Sequence, residues 1–463
     1  MSRASFQDRI QDRLKNMKRT LAKETLKKVN KPVMLKGWIH SRRDHGQLVF
    51  LDLRDRSGII QVVADQKASD LNNQDVVMAK GLVKKRPEDL INPQLATGTV
   101  EVQAKKITIL TKAEELPFDL SKPKLDLELP TLLDFRSLTL RHPKILAIFK
   151  VQEVILQTFR NILKKQGFTE ISVPTIVATA TEGGSEVFPI EYFDHQAFLA
   201  QSPQFYKQIM VGVFERVFTA AHAYRAEPSV TTRHMTEYVG LDAEMGFIND
   251  WNEIVDMAEL VVKEIFKQVK EQCAAELALY QAIIPQTIKK TPRLKLREAL
   301  GIIYKRTKRD NRNEPDLSPE DEREIGLWAQ EEHGSELVFI THYPTDKRPM
   351  YTYPDPQNPQ ETLSFDLIGR GVEWITGGQR INNYQQLVKN IRKWVCQLSD
   401  FETPYLQAFK YGLPPEGGFC LGLERMTQHI LGLSNLREAT LFPRDMTRID
   451  IRLAEKKKRA CDK

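Results

Sequence analysis

The sequence predicts an α+β chain in which a small β-barrel precedes a larger domain of mixed helices and strands. From Pro32 to about Leu110, apolar and polar residues alternate in short runs, VMLKGWI, QLVFLDLRD, IIQVVAD, DVVMAKGLV and TVEVQAKKITIL, with turn residues between them. Five short strands in so little chain point to a barrel. After Pro143 the spacing becomes helical, with Val151, Val154, Ile155, Phe159, Ile162 and Leu163 on one face, then Ile254, Met257, Val261, Ile265 and Val269. Strand-like segments stand between these runs. At 463 residues the chain has room for two or three domains.

Composition narrows the class. No apolar run reaches the ~20 residues of a bilayer span, and MSRASFQDRIQDRLKNMKRT lacks the apolar middle of a signal peptide. Cys273, Cys396, Cys420 and Cys461 have no paired spacing. Neither a disulfide framework nor a zinc site is expected, and the location expected is cytoplasmic. A net charge of +7 with a pI near 9.0 permits a polyanionic partner without demanding one.

Residues 1–31 form a basic extension, read either as a surface helix or arm touching RNA or as a solvated extension. Residues 32–110 are the barrel. In QLVFLDLRD, period two sets Val49, Leu51 and Leu53 on one face and Phe50, Asp52 and Arg54 on the other. An aromatic on the polar face, with Arg42 and Arg43 nearby, suits a platform for stacking nucleic-acid bases; the alternative is an exposed Phe covered by a loop. Residues 111–142, with Pro117, Pro123 and Pro130, read as a linker. The larger domain runs from 143 to 450. Its first helix leads into FTEISVPTIV, where Pro174 cannot donate to a ladder, so the strand belongs at an edge or bulge and is a plausible subunit contact. Gly183 and Gly184, flanked by carboxylates, form a candidate closing loop. Residues 285–325 are charged and contain no interpretable motif. The tail 451–463 is a basic charge run.

The larger domain is organised around Phe198 to Phe247, read as strand, loop and strand. It sets Gln204 and Lys207 after a short turn, Arg225 and Glu227 at the end of an apolar run, and Arg233 and His234 before a second run. Arg225, Arg380 and Arg425 each stand at the end of an apolar run or just after glycines. A guanidinium there can grip a ligand by two hydrogen bonds, although an ordinary surface ion pair is the usual fate of an arginine. Asp366 and Glu373 flank the turn LIGRG. The pair suits Mg²⁺ bridging phosphates; the competing reading is a buried salt bridge to Arg370. The chain has neither a Walker nor a dinucleotide glycine loop, and no Ser-His-Asp or Cys-His elbow. The chemistry expected is therefore charge stabilisation and positioning.

These residues give the chain its resemblance to the class II aminoacyl-tRNA synthetases, and among them to the aspartyl enzymes. The helix and strand ending at Pro174 resemble the family's first motif, a dimer-interface element. Val217 to Phe247, with YRAE and TTRHMTEY, resembles the second, and GLGLERM the third. QSPQFYKQ resembles the aspartyl signature, and GWIHSRRDHGQLVFLDLRDRSGIIQV the anticodon-binding barrel of the oligonucleotide-binding fold. The resemblance covers residues 33–448 and implies a catalytic domain built on an antiparallel sheet flanked by helices.

It also implies roles. Arg225 falls on the ATP α-phosphate, Glu227 near the adenine amino group, Arg233 and His234 by the β- and γ-phosphates, and Arg425 on the γ-phosphate and adenine. Arg225 and Arg425 are the catalytic pair. Asp366 and Glu373 match Mg²⁺ ligands, Glu373 also serving ATP. Lys207 and Arg380 face the aspartate side chain, and Glu182, Gln204 and Asp242 its ammonium group. Phe50, Gln61 and Glu101 fall where the family reads the anticodon, and Pro174 at the interface of a homodimer. Two cations in one small pocket favour aspartate over asparagine by more than shape alone, which is worth ~1–3 kcal/mol.

Some features depart from the family pattern. Tyr224 stands where Phe is common, and Trp374, Ile375 and Thr376 replace small residues and serine, which bears on metal coordination near Thr376. The short interval between the second and third motifs is of the archaeal and eukaryotic type, without the large bacterial insertion, whereas the barrel reads closer to the bacterial type. Competing readings are an asparaginyl-tRNA synthetase, a paralogue making free asparagine, which the barrel disfavours, and a synthetase-like RNA-binding protein without activity. The partners expected are ATP, aspartate and tRNA-Asp, with tRNA-Asn a further candidate on the strength of His40 and Pro87.

Overall fold

In a computed structural model, the residues described are 17–179, 187–227, 232, 234–394, 398 and 401–453. The chain divides into two compact units, Met1–Leu127 and Glu128–Lys463.

In the first unit, β1 (Pro32–Asp44), β2 (Leu48–Asp55), β3 (Gly58–Asp65), β4 (Val76–Lys85) and β5 (Val100–Thr111) close into a barrel in the order β1-β2-β3-β5-β4. Period-two alternation fills it: Val33, Leu35, Ile39, Val49, Leu51, Leu53, Ile60 and Val62 are buried, while Phe50, Asp52 and Arg54 face outward and stay half-buried. Closure leaves no unpaired sheet edge. Of the expected basic extension, the turn Ala22–Lys27 is docked on the barrel, with Ala22 buried and its N–H donating to Asp55 Oδ2 at 2.7 Å. Residues 1–16 lie outside the described residues.

The expected linker 111–142 is shorter in the structure, because from Glu128 the chain belongs to the second unit. Two short helices, Leu129–Asp134 and Arg136–Thr139, begin it. The buried Arg136 guanidinium donates to the carbonyls of Leu441, Glu438 and Thr440 at 2.6–3.0 Å, which fastens this segment to the end of the domain.

The second unit adds β6 (Thr169–Glu170), β7 (Ile176–Val177), β8 (Pro189–Tyr192), β9 (His195–Leu199), β10 (Arg216–Tyr224) and β11 (Glu237–Gly246). Then come β12 (Arg293–Lys295), β13 (Leu337–Thr341), β14 (Ser364–Gly369), β15 (Val372–Arg380) and β16 (Glu416–Gly422). Eight of these form one sheet in the order β12-β13-β14-β15-β16-β11-β10-β6, and β7, β9 and β8 a smaller one. The large sheet is antiparallel apart from the parallel pairs at its two edges, β12 with β13 and β6 with β10. The expected strand FTEISVPTIV is broken in two: β6 and β7 each stand at the edge of a different sheet, and Pro174, which cannot donate to a ladder, falls in the exposed backbone between them.

The helices Pro143–Lys165 and Asn252–Gln272 pack on one face of the sheet. Their apolar stripes, including Ile155, Phe159, Val261 and Ile265, meet Phe218, Leu241, Phe365, Phe419 and Leu421 in one core. Period two then dictates the opposite face. On β11 Asp242 and Glu244 alternate with Leu241, Ala243 and Met245; on β16 Glu416, Gly418 and Cys420 alternate with Gly417, Phe419 and Leu421. The polar face of the central strands carries the candidate site.

Two assignments differ. Gln204 and Lys207 lie not in a loop but in the first turns of the helix Gln204–Phe214. Residues 285–325 contain β12, the helix Leu296–Thr307 and the start of the helix Pro319–His333. The Leu296–Thr307 helix buries Leu296, Ala299, Leu300 and Ile303 against the outer strands.

Candidate active site

The ends of β10, β11, β15 and β16 and the start of the helix Leu423–Leu431 surround one cavity. Arg225, Glu227, His234, Glu373 and Arg425 all line it, together with Tyr238, Thr376, Cys420 and Glu424. Five of the residues assigned to ATP are therefore gathered in one place. Arg233 lies outside the described residues. Arg225 Nη1 is 3.6 Å from Glu227 Oε1, and Arg425 Nη1 is 3.6 Å from Glu373 Oε1 while donating to the Glu373 carbonyl at 2.9 Å. Their side chains keep 47% and 31% exposure, enough to turn toward a ligand. Glu424 accepts from Val239 N–H at 3.1 Å, beyond the last β11–β16 pair, Gly240 with Gly422, and so ties the third motif to the second. Burial raises its carboxyl to about 7.

Behind the cavity, Lys207, Asp242, Glu244 and Arg380 form a buried charge cluster. Lys207 Nζ lies 2.8 Å from Asp242 Oδ1 and 3.1 Å from Glu244 Oε2; Arg380 Nε donates to Glu244 Oε1 at 2.8 Å and Nη2 to the Gly418 carbonyl at 3.1 Å. Burial works against both cations, yet the facing carboxylates outweigh it and hold each above its ordinary range. Gly418 makes the arrangement possible, since a Cβ there would come within 2.1 Å of Glu244 Oε2. Gly418 on β16 thus clears space for the carboxylate partner of Arg380. Gln204 Nε2 and Asp242 Oδ2 are buried with no hydrogen-bond partner, which suits groups awaiting a ligand. Asp242 and Cys420 are register partners on β11 and β16, which places the cluster next to the cavity wall. Glu182 lies outside the described residues.

Asp366 and Glu373 are brought near one another across the β14–β15 hairpin, which has a bulge between Leu367 and Ile368. The competing salt bridge to Arg370 is not what forms: Arg370 pairs with Glu336 at 2.9 Å. Asp366 Oδ2 instead accepts from Arg348 at 2.6 Å, and Arg348 also reaches Thr376 Oγ1 at 3.2 Å and stacks over Tyr343 at 3.8 Å. Burial and the nearby Asp366 both raise the Glu373 carboxyl. Asp366 Oδ1 is buried without a partner. Two mutually repelling carboxylates with an orphaned oxygen fit a hard divalent cation. Among the described residues no group of three or more His, Cys, Asp or Glu forms a cage.

On the barrel, Phe50, Gln61 and Glu101 line one open cavity with Arg43, His45 and Arg86. Phe50 meets His45 edge to face at 5.3 Å, leaving a ring face for stacking. Arg86 Nη2 donates to Gln61 Oε1 at 2.9 Å, and its Nε lies 3.9 Å from Glu101. Arg43 lines this cavity; Arg42 does not and turns to Ser69 and Asp44. His40 sits at the β1 bulge, and Pro87 is exposed before the turn Glu88–Leu90.

Sequence reasoning did not single out Glu244, Glu416, Arg348 or Arg86. Glu244 was within reach, sharing the face of Asp242 by period two. Arg348 and Arg86 find their partners only through the tertiary fold.

The family model for class II tRNA synthetases (D, K and N) matches residues 128–446, and that for the OB-fold nucleic acid binding domain matches 33–110. The chain belongs to the class II tRNA synthetases that include the D, K and N members. Within this class it is 41% identical over 435 residues to the aspartate–tRNA(Asp/Asn) ligase of Thermus thermophilus, covering 93% of this chain and 99% of the relative. It is 38% identical over 430 residues to the aspartate–tRNA(Asp) ligase of Pyrococcus abyssi, covering 90% and 96%. Among solved structures, asparaginyl-tRNA synthetase from Pyrococcus horikoshii complexed with asparaginyl-adenylate superposes with a TM-score of 0.85 at 30% identity, covering 93% and 99%. Among the described residues no helix is long and apolar enough to cross a membrane.

Proposed function

We propose that the chain is an aspartate–tRNA ligase, which activates L-aspartate with ATP and transfers it to tRNA-Asp. The observation that carries this is the pairing of Lys207 and Arg380 in one buried cluster beside the Arg225–Arg425 cavity. Relatives named as aspartate–tRNA ligases at 38–41% identity support the same reading.

In this reading Lys207 and Arg380 exchange part of their bonds to Asp242 and Glu244 for the substrate's side-chain carboxylate. Glu182, Gln204 and Asp242 hold its ammonium group. Arg225 takes the α-phosphate, Glu227 the adenine amino group, Arg233 and His234 the β- and γ-phosphates, and Arg425 the γ-phosphate and adenine. The α-carboxylate attacks the α-phosphorus, forming the mixed anhydride as pyrophosphate leaves. Both reactants are anionic, so fixed cations lower the barrier by offsetting their repulsion. Asp366 and Glu373 would hold Mg²⁺, which when bound neutralises phosphate charge. The ribose 3′-hydroxyl of the tRNA end then attacks the aspartyl carbonyl and AMP leaves. Phe50 stacks an anticodon base, and Gln61 and Glu101 read base edges.

The exposed segment around Pro174 and Ile176 supports a homodimer interface, and the free thiols of Cys273 and Cys420 accord with a cytoplasmic location. A second reading, that tRNA-Asn is charged as well, is favoured by the Thermus thermophilus relative named for both tRNAs. Aminoacylation of purified tRNA-Asp and tRNA-Asn with labelled aspartate tests both. Charging of tRNA-Asp is expected; failure to charge either tRNA would overturn the assignment, and strong preference for tRNA-Asp would overturn the second reading.

A further inference from the structure

The side-chain end of the cluster contains one carboxyl more than its cations can serve. Glu416 opens β16, is register partner of Arg380 on β15 and of Gly246 on β11, and is fully buried. Its Oε1 accepts from Gln208 Nε2 at 2.8 Å. Gln208 Oε1 in turn accepts the Tyr405 hydroxyl at 2.9 Å, so this amide serves Glu416 and Tyr405 together. Glu416 Oε2 is buried with no hydrogen-bond partner. The cations facing it are already committed, Lys207 to Asp242 and Glu244, and Arg380 to Glu244 and the Gly418 carbonyl.

We propose that Glu416 is a specificity-determining residue that stands protonated, keeping a third anion out of the Lys207–Arg380 pocket so that the pocket accepts a substrate carboxylate. This rests on the reading that the Lys207–Arg380 pair binds the aspartate side chain. An ionised carboxyl with a single donor, sealed from water, is disfavoured by desolvation. Burial first, and then repulsion from Glu244, push the Glu416 carboxyl well above the usual range, and the opposing pull of Gln208, Arg380 and Lys207 does not reverse this. Two cations facing only Asp242 and Glu244 leave the cluster neutral, and it can share one incoming anion. With Glu416 ionised the cluster would carry a negative charge before aspartate arrived. An ionised Glu416 would also offer an acceptor to the carboxamide N–H of asparagine, the competitor the site must reject. Glu416 acts through Arg380 and Lys207, as a positioning residue and not a catalytic one.

The test is ATP–pyrophosphate exchange driven by aspartate or asparagine, with wild type, Glu416→Gln and Glu416→Ala. Glu416→Gln reproduces the neutral carboxyl in shape and hydrogen bonding. It is expected to keep the aspartate KM within about threefold of wild type near pH 7 and still reject asparagine, whereas Glu416→Ala, which strands Gln208, raises that KM by about tenfold or more. If Glu416 were ionised, Glu416→Gln would remove a negative charge from the pocket and lower the aspartate KM by about tenfold or more; that result overturns the proposal. Infrared spectroscopy of wild type gives a reading that does not depend on a variant folding. A protonated-carboxyl band should persist at about pH 8, well above ordinary carboxyl pKa values, and its absence also overturns the proposal. If wild type shows no aspartate-dependent exchange, the substrate reading itself fails; exchange in wild type with the tighter Glu416→Gln variant removes only the proton on Glu416.

Discussion

The two ends of the catalytic site hold their positive charge in opposite ways. At the end proposed for the amino acid, Lys207 and Arg380 are buried and ion-paired at 2.8–3.1 Å with Asp242 and Glu244. At the end proposed for the nucleotide, Arg225 and Arg425 are partly exposed and stand 3.6 Å from Glu227 and Glu373 respectively. A buried cation cannot lose its partner cheaply, because desolvation leaves an uncompensated charge; a half-exposed one can, because water substitutes. The rigid end suits discrimination between two amino acids that differ by one charge. The loose end suits a ligand whose charge distribution changes as pyrophosphate leaves. Stability and catalysis are therefore coupled at one end and separable at the other.

The largest effect expected is from Lys207→Leu, which strands Asp242 and Glu244. It should abolish aspartate activation in the exchange assay and destabilise the fold by about 3–5 kcal/mol in denaturant titration. Lost activity with unchanged stability would break the contrast. Arg425→Ala should lower kcat/KM for ATP by about 100- to 1,000-fold while leaving the unfolding midpoint nearly unchanged, since its pair is loose and exposed. A fall in stability comparable to that of Lys207→Leu would show the two ends to be alike.

Glu424 is the buried carboxyl of the end proposed for the nucleotide. Its folded value of about 7 exceeds the ~4.3 of an unfolded glutamate. The associated stabilisation is full below about pH 4.3 and is lost as pH rises through about 7. Over that window wild type should lose about 4 kcal/mol relative to Glu424→Gln, read from paired unfolding curves; parallel curves would contradict it. The smallest effect is outside the catalytic unit. Phe50→Ala should cost about 1–3 kcal/mol in binding the tRNA-Asp anticodon arm with exchange unaltered, and a changed exchange rate would argue against a separate reading surface.

Much of this was legible in the sequence where local pattern decides. The barrel strands follow from alternation, and their inward residues Val49, Leu51 and Leu53 fall where period two sets them. The helix Asn252–Gln272 follows from its apolar spacing. The site cations were legible because motif order survives in one dimension, and the structure gathers Arg225, Glu227, His234, Glu373 and Arg425 around one cavity. Elements failed where composition misleads. In QFYKQIMVGVF, aromatic and β-branched residues with a glycine mask a helix that is held by packing of Phe205 and Val211. In 285–325 the stripe Leu296, Ala299, Leu300 and Ile303 was present but diluted by charge. Arg348, Glu416 and Arg86 were invisible as partners, because each finds its counterpart on another element, 18 to 208 residues away in sequence.

In the proposed function, the buried Lys207–Arg380 pair selects a carboxylate side chain. Pyrophosphate exchange by the wild-type chain, measured with aspartate and with asparagine at equal concentration, tests this most directly. Exchange that depends on aspartate, with asparagine weaker by more than the ~200-fold that shape alone supplies, is the predicted result. Exchange with asparagine but not with aspartate would contradict it.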